Sequence, residues 1–118
     1  MQKEITPLGD IHISPQAIAT IAFQAAQRSY GVVGLAAKNI ADGLANAIVK
    51  DPTHGVEVEF DGPHINIDIY IIVEYGTRIK SVSASVANTV KYHVEKAIGL
   101  PLNEINVHVQ GLRMSNED

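Results

Sequence analysis

The sequence predicts an α+β fold, a two-layer sandwich in which helices pack on one face of a small mixed β-sheet. The chain has 118 residues, of which 46% are hydrophobic, and this is the size and composition of one domain with a single core. Its apolar residues alternate in some segments and recur at helical spacing in others. These segments follow the order β-α-α-β-β-α-β, which favours a sheet covered by helices on one side.

A short strand and a long helix open the predicted order. Ile11 and Ile13 stand two residues apart, as on one face of a strand. Ser14 is a good N-cap, and Pro15 fits the first position of a helix. We therefore predict a helix from residue 15 to about residue 30. Its expected inner face is mostly small, which allows close packing on a sheet: Ile18, Ile21, Ala22, Ala25 and Ser29.

The middle of the chain predicts a second helix and then a β-hairpin. Apolar residues recur at helical spacing over about residues 35–50, until an Asp-Pro dipeptide breaks the pattern. Apolar and acidic residues then alternate over 56–61, and the sequence DGPH at 61–64 is typical of a turn. The clearest alternation of the chain follows at 65–75. We predict that these two strands pair as the hairpin.

The last part of the chain predicts a helix and a final strand. From about residue 79, valines recur at intervals of four as a helical stripe, which Gly99 closes, although no convincing N-cap marks its beginning. Alternation over 105–110 indicates the last strand. Residues 113–118 are expected to form a disordered acidic tail, and the whole chain is expected to be a single domain.

The sheet face without helices is the candidate interaction surface. Because the predicted helices suffice for one face only, the other face is expected to be open to solvent or to a docked subunit or partner. Tyr70 and Ile72 are expected to be its anchors, with a rim of hydrogen-bonding groups. The predicted members of this face are Asn66, Asp68, Tyr70, Ile72, Glu74, Asn106, His108 and Gln110.

Charge and composition exclude several classes of function. Lys and Arg number 9 against 13 Asp and Glu, so the net charge of −4 gives no general attraction to nucleic acid or to anionic membranes, although a local basic patch is still allowed. The absence of cysteine excludes disulfides, iron–sulfur clusters and thiol catalysis. No apolar run resembles a signal peptide or a membrane span, and the chain is expected to be cytoplasmic.

A GxxG motif, Gly31-Val32-Val33-Gly34, has two interpretations. KH nucleic-acid-binding domains use such a loop between two helices to clamp a phosphate backbone, and the predicted order of elements agrees with one class of KH domain. The two variable positions are valines here, which offer a phosphate little. Gly31 can instead supply a left-handed residue after the first helix. We predict a structural turn and keep a KH-like nucleic-acid-binding module as the alternative.

Neither a catalytic residue nor a cofactor is predicted. The five histidines form no HxH or HxxxH pair of the kind that binds metals, and no Walker A, GxGxxG or HExxH motif occurs. His108 can share the open face with Asp68 or Glu74, but a general acid/base pair there would need a pocket. A small-molecule or metal site around His108 is a second alternative.

Several segments together resemble a known family. They are GDIHISPQAIATIAFQAA (9–26), GVEVEF (55–60), IDIYIIVEYG (67–76) and EINVHVQGL (104–112). In combination these segments are similar to the alkaline shock protein family of envelope stress response proteins, found mainly in Gram-positive bacteria, and the resemblance covers roughly residues 4–113.

The resemblance to this family implies a function that the residue patterns alone do not give. It implies a non-catalytic cytoplasmic protein that self-associates as a homo-oligomer. Such a protein is held near the membrane by a membrane-anchored partner, or is associated with lipid metabolism, without direct membrane insertion. The family has no agreed catalytic residues, so none is expected in this chain.

Overall fold

The computed structural model describes residues 14–37 and 52–114 of the chain. They form two layers, with helices on one face of a four-stranded mixed sheet, which confirms the predicted fold class. The elements in chain order are α1 (Pro15–Gln27), β1 (Val32–Leu35), α2 (Pro52–Gly55), β2 (Val56–Asp61), β3 (His64–Glu74), α3 (Ile79–Ile98) and β4 (Glu104–Arg113).

Strand β3 is the centre of the sheet. β2 pairs antiparallel with the first half of β3 as the predicted hairpin, and β1 pairs antiparallel with the second half. β4 pairs parallel with β3 along both halves, so β1 and β2 must share the opposite edge of β3, end to end. Helix α3 supplies the long crossover that a parallel pair of strands requires.

The hydrophobic core lies between the sheet and the two long helices. Alternate residues of β3, from Ile65 to Val73, point towards the helices and are at most 4% exposed. The predicted valine stripe of α3 is confirmed, since its four valines are all buried. The core side chains of the helices are Ile18, Ala19, Ala22, Phe23, Ala25, Ala26, Val82, Val86, Val90 and Val94.

Helix α1 begins as the sequence predicts. The Ser14 Oγ accepts hydrogen bonds from the backbone N–H groups of Gln16 and Ala17 at 3.1 and 3.2 Å, and Pro15 occupies the first turn. The helix ends at Gln27, about a turn earlier than predicted. Its buried face includes Phe23, which the predicted face omitted. The strand predicted at Ile11 and Ile13 lies outside the described residues.

Strand β1 is the element that the sequence pattern missed. Gly31, with φ of +85°, forms the turn before it, which confirms the predicted turn at this residue. Gly34 is not a turn residue, because it lies inside the strand opposite Ile72. The helix predicted over 35–50 therefore cannot begin at Leu35, and its part beyond residue 37 lies outside the described chain.

The last helix and strand are close to their predicted positions. α3 starts at Ile79 without a side-chain N-cap and ends at Ile98, and the N–H of the C-cap residue Gly99 donates to the carbonyl of Glu95. β4 is longer than the predicted 105–110 and extends through Arg113, so this first residue of the expected tail belongs to a strand. Residues 115–118 lie outside the described part of the chain.

Candidate interaction face

The outer face of the sheet, on the side away from α1 and α3, brings together polar side chains from three strands. In the register of the sheet, Asp68 of β3 lies between Glu57 of β2 and Asn106 of β4. Asn66 precedes Asp68 by two residues on β3 and therefore lies on the same face. His108 follows Asn106 on the same side of β4. We call the surface formed by Glu57, Asn66, Asp68, Asn106 and His108 the polar face.

A hydrogen-bonded and stacked network connects three side chains of the polar face with Tyr70. The His108 Nε2 lies 3.0 Å from the Asp68 Oδ1. The imidazole ring stacks on the ring of Tyr70, with centroids 4.6 Å apart and an angle of 13° between the planes. The Tyr70 hydroxyl in turn donates to Glu57 Oε1 at 3.3 Å. The network therefore links all three strands through Tyr70.

The buried position of Tyr70 beside two carboxylates changes the pKa of its hydroxyl. Its side chain is only 8% exposed. Burial, followed by the negative charges of Glu57 and Asp68 and the hydrogen bond to Glu57, raises the pKa of Tyr70 to about 12. Each of these effects disfavours the phenolate. Tyr70 is therefore a neutral hydrogen-bond donor at any physiological pH, and it holds the Glu57 carboxylate in place.

A second polar contact extends the polar face towards the start of β4. The Asn103 amide donates to the Asn66 Oδ1 at 2.8 Å, although the two residues are 37 positions apart in the sequence. Asn106 is exposed, and the side chains of His108 and Asp68 are 43% and 26% exposed. Solvent or a partner can thus reach this group of acceptors and donors without rearrangement.

The second half of the outer face is covered, which corrects the predicted anchors. Tyr70 and Ile72 are 8% and 0% exposed, so neither offers an open apolar surface. The Gln110 Nε2 of β4 donates to the carbonyl of Ala37, beyond β1 on the opposite edge, at 3.2 Å. Neighbouring strands lie about 4.8 Å apart, and β3 separates β4 from β1. The Gln110 side chain must therefore extend over β3 to reach Ala37. Gln110 and Ala37 thus meet over the outer face near Ile72.

The eight predicted members of the face thus separate into different environments. The structure groups Asn66, Asp68, Asn106 and His108 as predicted, with Tyr70 beneath His108. Ile72 and Gln110 belong to the covered half, and Glu74 pairs in register with Arg113 at the far end of β3. Glu57 and Asn103 were missed.

The alternation along β2 was the sequence signal that could have identified Glu57 as a member of the face. The register of the hairpin places Glu57 opposite Asp68. Asn103 precedes β4 in a bend, where no periodicity identifies it.

The KH interpretation of the GxxG motif is wrong in this structure. A KH clamp needs a loop between two helices, whereas Val32 to Leu35 form β1 and pair with β3. The Gly31 carbonyl also accepts a hydrogen bond from the N–H of Glu74 at 2.8 Å. The backbone of the motif is therefore engaged in the sheet instead of being free to hold a phosphate.

A groove lies beside the polar face, and the described residues form no metal-binding cluster. Among the described residues, no three His, Cys, Asp or Glu side chains are arranged to hold a metal ion. An open groove of about 620 Å³ runs along the edge of β2. Its lining is Pro15, Gln16, Ala19, Val56, Glu57, Val58, Glu59 and Asp68, without His108 or Tyr70. His108 thus lies outside this groove with its side chain 43% exposed, whereas Asp68 contributes to the groove.

None of the described helices provides a membrane span. Within residues 14–37 and 52–114, none is both long enough and apolar enough to cross a bilayer.

The fold is similar to that of solved structures of the MamM CTD. The copper form of that protein is 17% identical, with a TM-score of 0.52 over 86% of this chain and 89% of that chain. A zinc form of a MamM CTD variant is 15% identical, with a TM-score of 0.52 over 85% and 88% of the two chains. At this level of identity the similarity shows the architecture alone.

Relatives identified by sequence share a higher identity with this chain than the solved structures do. The uncharacterized protein YloU of Bacillus subtilis (strain 168) is 46% identical over 113 residues, which are 94% of each chain. The uncharacterized protein YqhY of the same organism is 33% identical over 118 residues, 99% of this chain and 87% of that protein. A family model described by a cell envelope-related function matches residues 3–114. The chain therefore belongs to the alkaline shock protein (ASP23) family, as the sequence segments predict.

Proposed function

We propose that this protein is a non-catalytic interaction protein of the bacterial envelope stress response, which acts in the cytoplasm. It self-associates and binds a protein partner that is membrane-anchored or belongs to lipid metabolism, and the polar face is the contact surface. Membership of a family with a cell envelope-related function supports the setting. The observation that carries the proposed surface is the network through Glu57, Tyr70, His108 and Asp68.

The network favours binding because it fixes the polar groups before a partner arrives. Ordering a mobile side chain at an interface costs about 0.5–1.5 kcal/mol, and a side chain already held by its neighbours avoids much of this cost. Interfaces between separately folded proteins also contain about ten hydrogen bonds, which exposed amides, carboxylates and an imidazole can provide. Tyr70 then supports the surface from beneath His108, and neither Tyr70 nor Ile72 is exposed enough to anchor the partner.

The substitution Asn106→Arg tests this surface. Asn106 is exposed in the middle of the polar face, where a longer side chain fits in solution and collides with a docked protein. We expect the dissociation constant for self-association, or for the partner retained from lysate, to rise at least thirtyfold, which is about 2 kcal/mol. Light scattering after size exclusion and a pull-down measure the two affinities.

The control for this experiment is Asn88→Arg, which makes the same exchange at an exposed position of α3 in the helical layer. Circular dichroism spectra must match the parent for both variants. If Asn106→Arg and Asn88→Arg both associate as the parent does, the polar face is only solvated and the proposed surface is wrong.

A further inference from the structure

Large exposed apolar side chains gather at one end of the molecule. Tyr30 is 80% exposed and Tyr75 is 65% exposed, although aromatic rings of this size usually lie at least partly buried. Ile79, Leu112 and Met114 are 40–54% exposed. We call the surface formed by these five side chains the tyrosine end.

Backbone contacts show that these residues belong to one surface. The N–H of Glu74 donates to Gly31, the residue after Tyr30, at 2.8 Å. The N–H of Tyr75 donates to Arg113, the residue between Leu112 and Met114, also at 2.8 Å. The turn after β3 leads directly to Ile79 at the start of α3. The end of α1, the start of α3 and the ends of β3 and β4 therefore meet here.

Four cationic side chains lie at the tyrosine end. Arg28, Arg78, Lys80 and Arg113 are all exposed there, and Glu74 is the one carboxylate among the described residues of this end. Elsewhere in the described part of the chain there are two lysines, Lys91 and Lys96, and six carboxylates. These carboxylates are Glu57, Glu59, Asp61, Asp68, Glu95 and Glu104. The described part of the chain is thus polarised, although the net charge of the whole sequence is −4.

The start of α3 adds to the positive potential of this end. α3 has neither a side-chain cap at its N-cap residue Arg78 nor an acidic residue in its first turn. The positive end of its dipole is therefore not neutralised by its own residues. This contribution supplements the four cations.

We propose that the tyrosine end binds the surface of an anionic lipid bilayer. Tyrosine rings are favoured at the interface between headgroups and acyl chains, where the ring is apolar and the hydroxyl remains hydrated. Each Lys or Arg close to an anionic leaflet strengthens binding roughly fivefold. The tyrosine end, with its exposed apolar side chains and four cations, matches both requirements and needs no membrane-spanning segment. Glu117 and Asp118 follow Met114 in sequence, so the attraction must come from the local cations.

Flotation with lipid vesicles tests the proposal on the full chain without any partner protein. We expect the protein to float with vesicles that contain equal parts of phosphatidylglycerol and phosphatidylcholine at low salt. It should remain unbound with phosphatidylcholine alone, and high salt should release it from the anionic vesicles because screening removes the attraction. An absence of binding to the anionic vesicles at low salt overturns the proposal.

A charge-matched pair of variants tests the position of the binding surface. Arg78→Gln with Lys80→Gln removes two charges from the tyrosine end, and we expect the partition coefficient to fall roughly tenfold or more. Lys91→Gln with Lys96→Gln removes two charges from the other half of the same helix and should leave the partition coefficient nearly unchanged. An equal loss in both variants shows a net charge effect and contradicts the proposal.

The tyrosines are tested in the same way. Tyr30→Ser with Tyr75→Ser should weaken vesicle binding, whereas Tyr92→Ser, which changes a ring that is 58% exposed on α3, should not. Both variants should fold, because the rings that they remove lie in solvent. If the double variant binds vesicles like the parent but has a smaller mass by light scattering, the tyrosine end contacts a second copy of the chain and the lipid proposal is wrong.

Discussion

Tyr70 lies in the middle of β3 beneath the ring of His108 and is only 8% exposed. The alternation along β3 puts its side chain on the outer face, as the sequence predicts. Its burial comes with contacts to other strands, since its ring stacks on His108 of β4 and its hydroxyl donates to Glu57 of β2. The continuous apolar run from Ile69 to Val73 was a signal of this, since strands buried on both faces lack alternation.

The raised pKa of Tyr70 predicts a loss of stability at alkaline pH. The pKa is 10.0 for an ordinary tyrosine and about 12 for Tyr70 in the folded chain. Between these values the unfolded chain releases the proton and the folded chain keeps it, so the free energy of unfolding falls as pH rises. A shift of this size corresponds to a loss of about 2–3 kcal/mol at the upper end of the range.

The variant Tyr70→Phe isolates this loss from other alkaline effects. Near neutral pH it should be less stable than the parent by about 0.5–1.5 kcal/mol, because the hydrogen bond to Glu57 is missing. Urea unfolding at increasing pH should show this difference shrinking above pH 10 and then changing sign. Parallel curves for parent and variant would mean that Tyr70 titrates alike in both states.

Gly31 is the second residue whose identity the structure explains. Its φ of +85° disfavours other residues, and a Cβ placed on it would lie 2.5 Å from a methyl carbon of Val82 in the core. Gly31→Ala should therefore lower the free energy of unfolding by about 2–4 kcal/mol, from backbone strain and overpacking together. Thermal and urea unfolding provide the measurement.

A second glycine separates the two causes. Gly76 has φ of +95°, and a Cβ there would meet nothing within 4 Å. Gly76→Ala should cost only the backbone strain, about 1 kcal/mol. Equal losses in the two alanine variants would show that Val82 moves aside at no cost.

At the scale of elements, strongly periodic segments were predictable and weakly periodic ones were not. The helix α3 and the hairpin of β2 and β3 have long regular patterns, and the structure confirms them. β1 has only four residues, one of which is a glycine, so its pattern is too short to show alternation. Its strand conformation depends on pairing with β3, about 40 residues later, which local propensity cannot show.

The importance of β3 for the core leads to a prediction for Ile69. This residue is 0% exposed and lies in the middle of the face that packs on the helices. Ile69→Ala should lower the free energy of unfolding by about 2–5 kcal/mol, and Ile69→Val by about 0.5–1.5 kcal/mol. If urea unfolding gives a loss as small as that of an exposed substitution, the packing of this face is misassigned.

At the scale of the whole molecule, the sequence identified the family and part of the candidate site. The grouping of Asn66, Asp68, Asn106 and His108 follows from alternation in two strands once these strands are neighbours. The tyrosine end could not be predicted in this way, because Tyr30, Tyr75 and Arg78 lie in turns, where periodicity carries no information. Only the tertiary fold brings these turns together.

The central position of β3 also determines how the protein can open. β1, β2 and β4 each hydrogen-bond to β3, and no other pair of strands in the described sheet forms a ladder. An outer strand can therefore detach while the remaining ladders stay intact, but separation of β3 breaks all three at once. Local fluctuations should be confined to the edges, and the sheet cannot divide into two parts that fold independently.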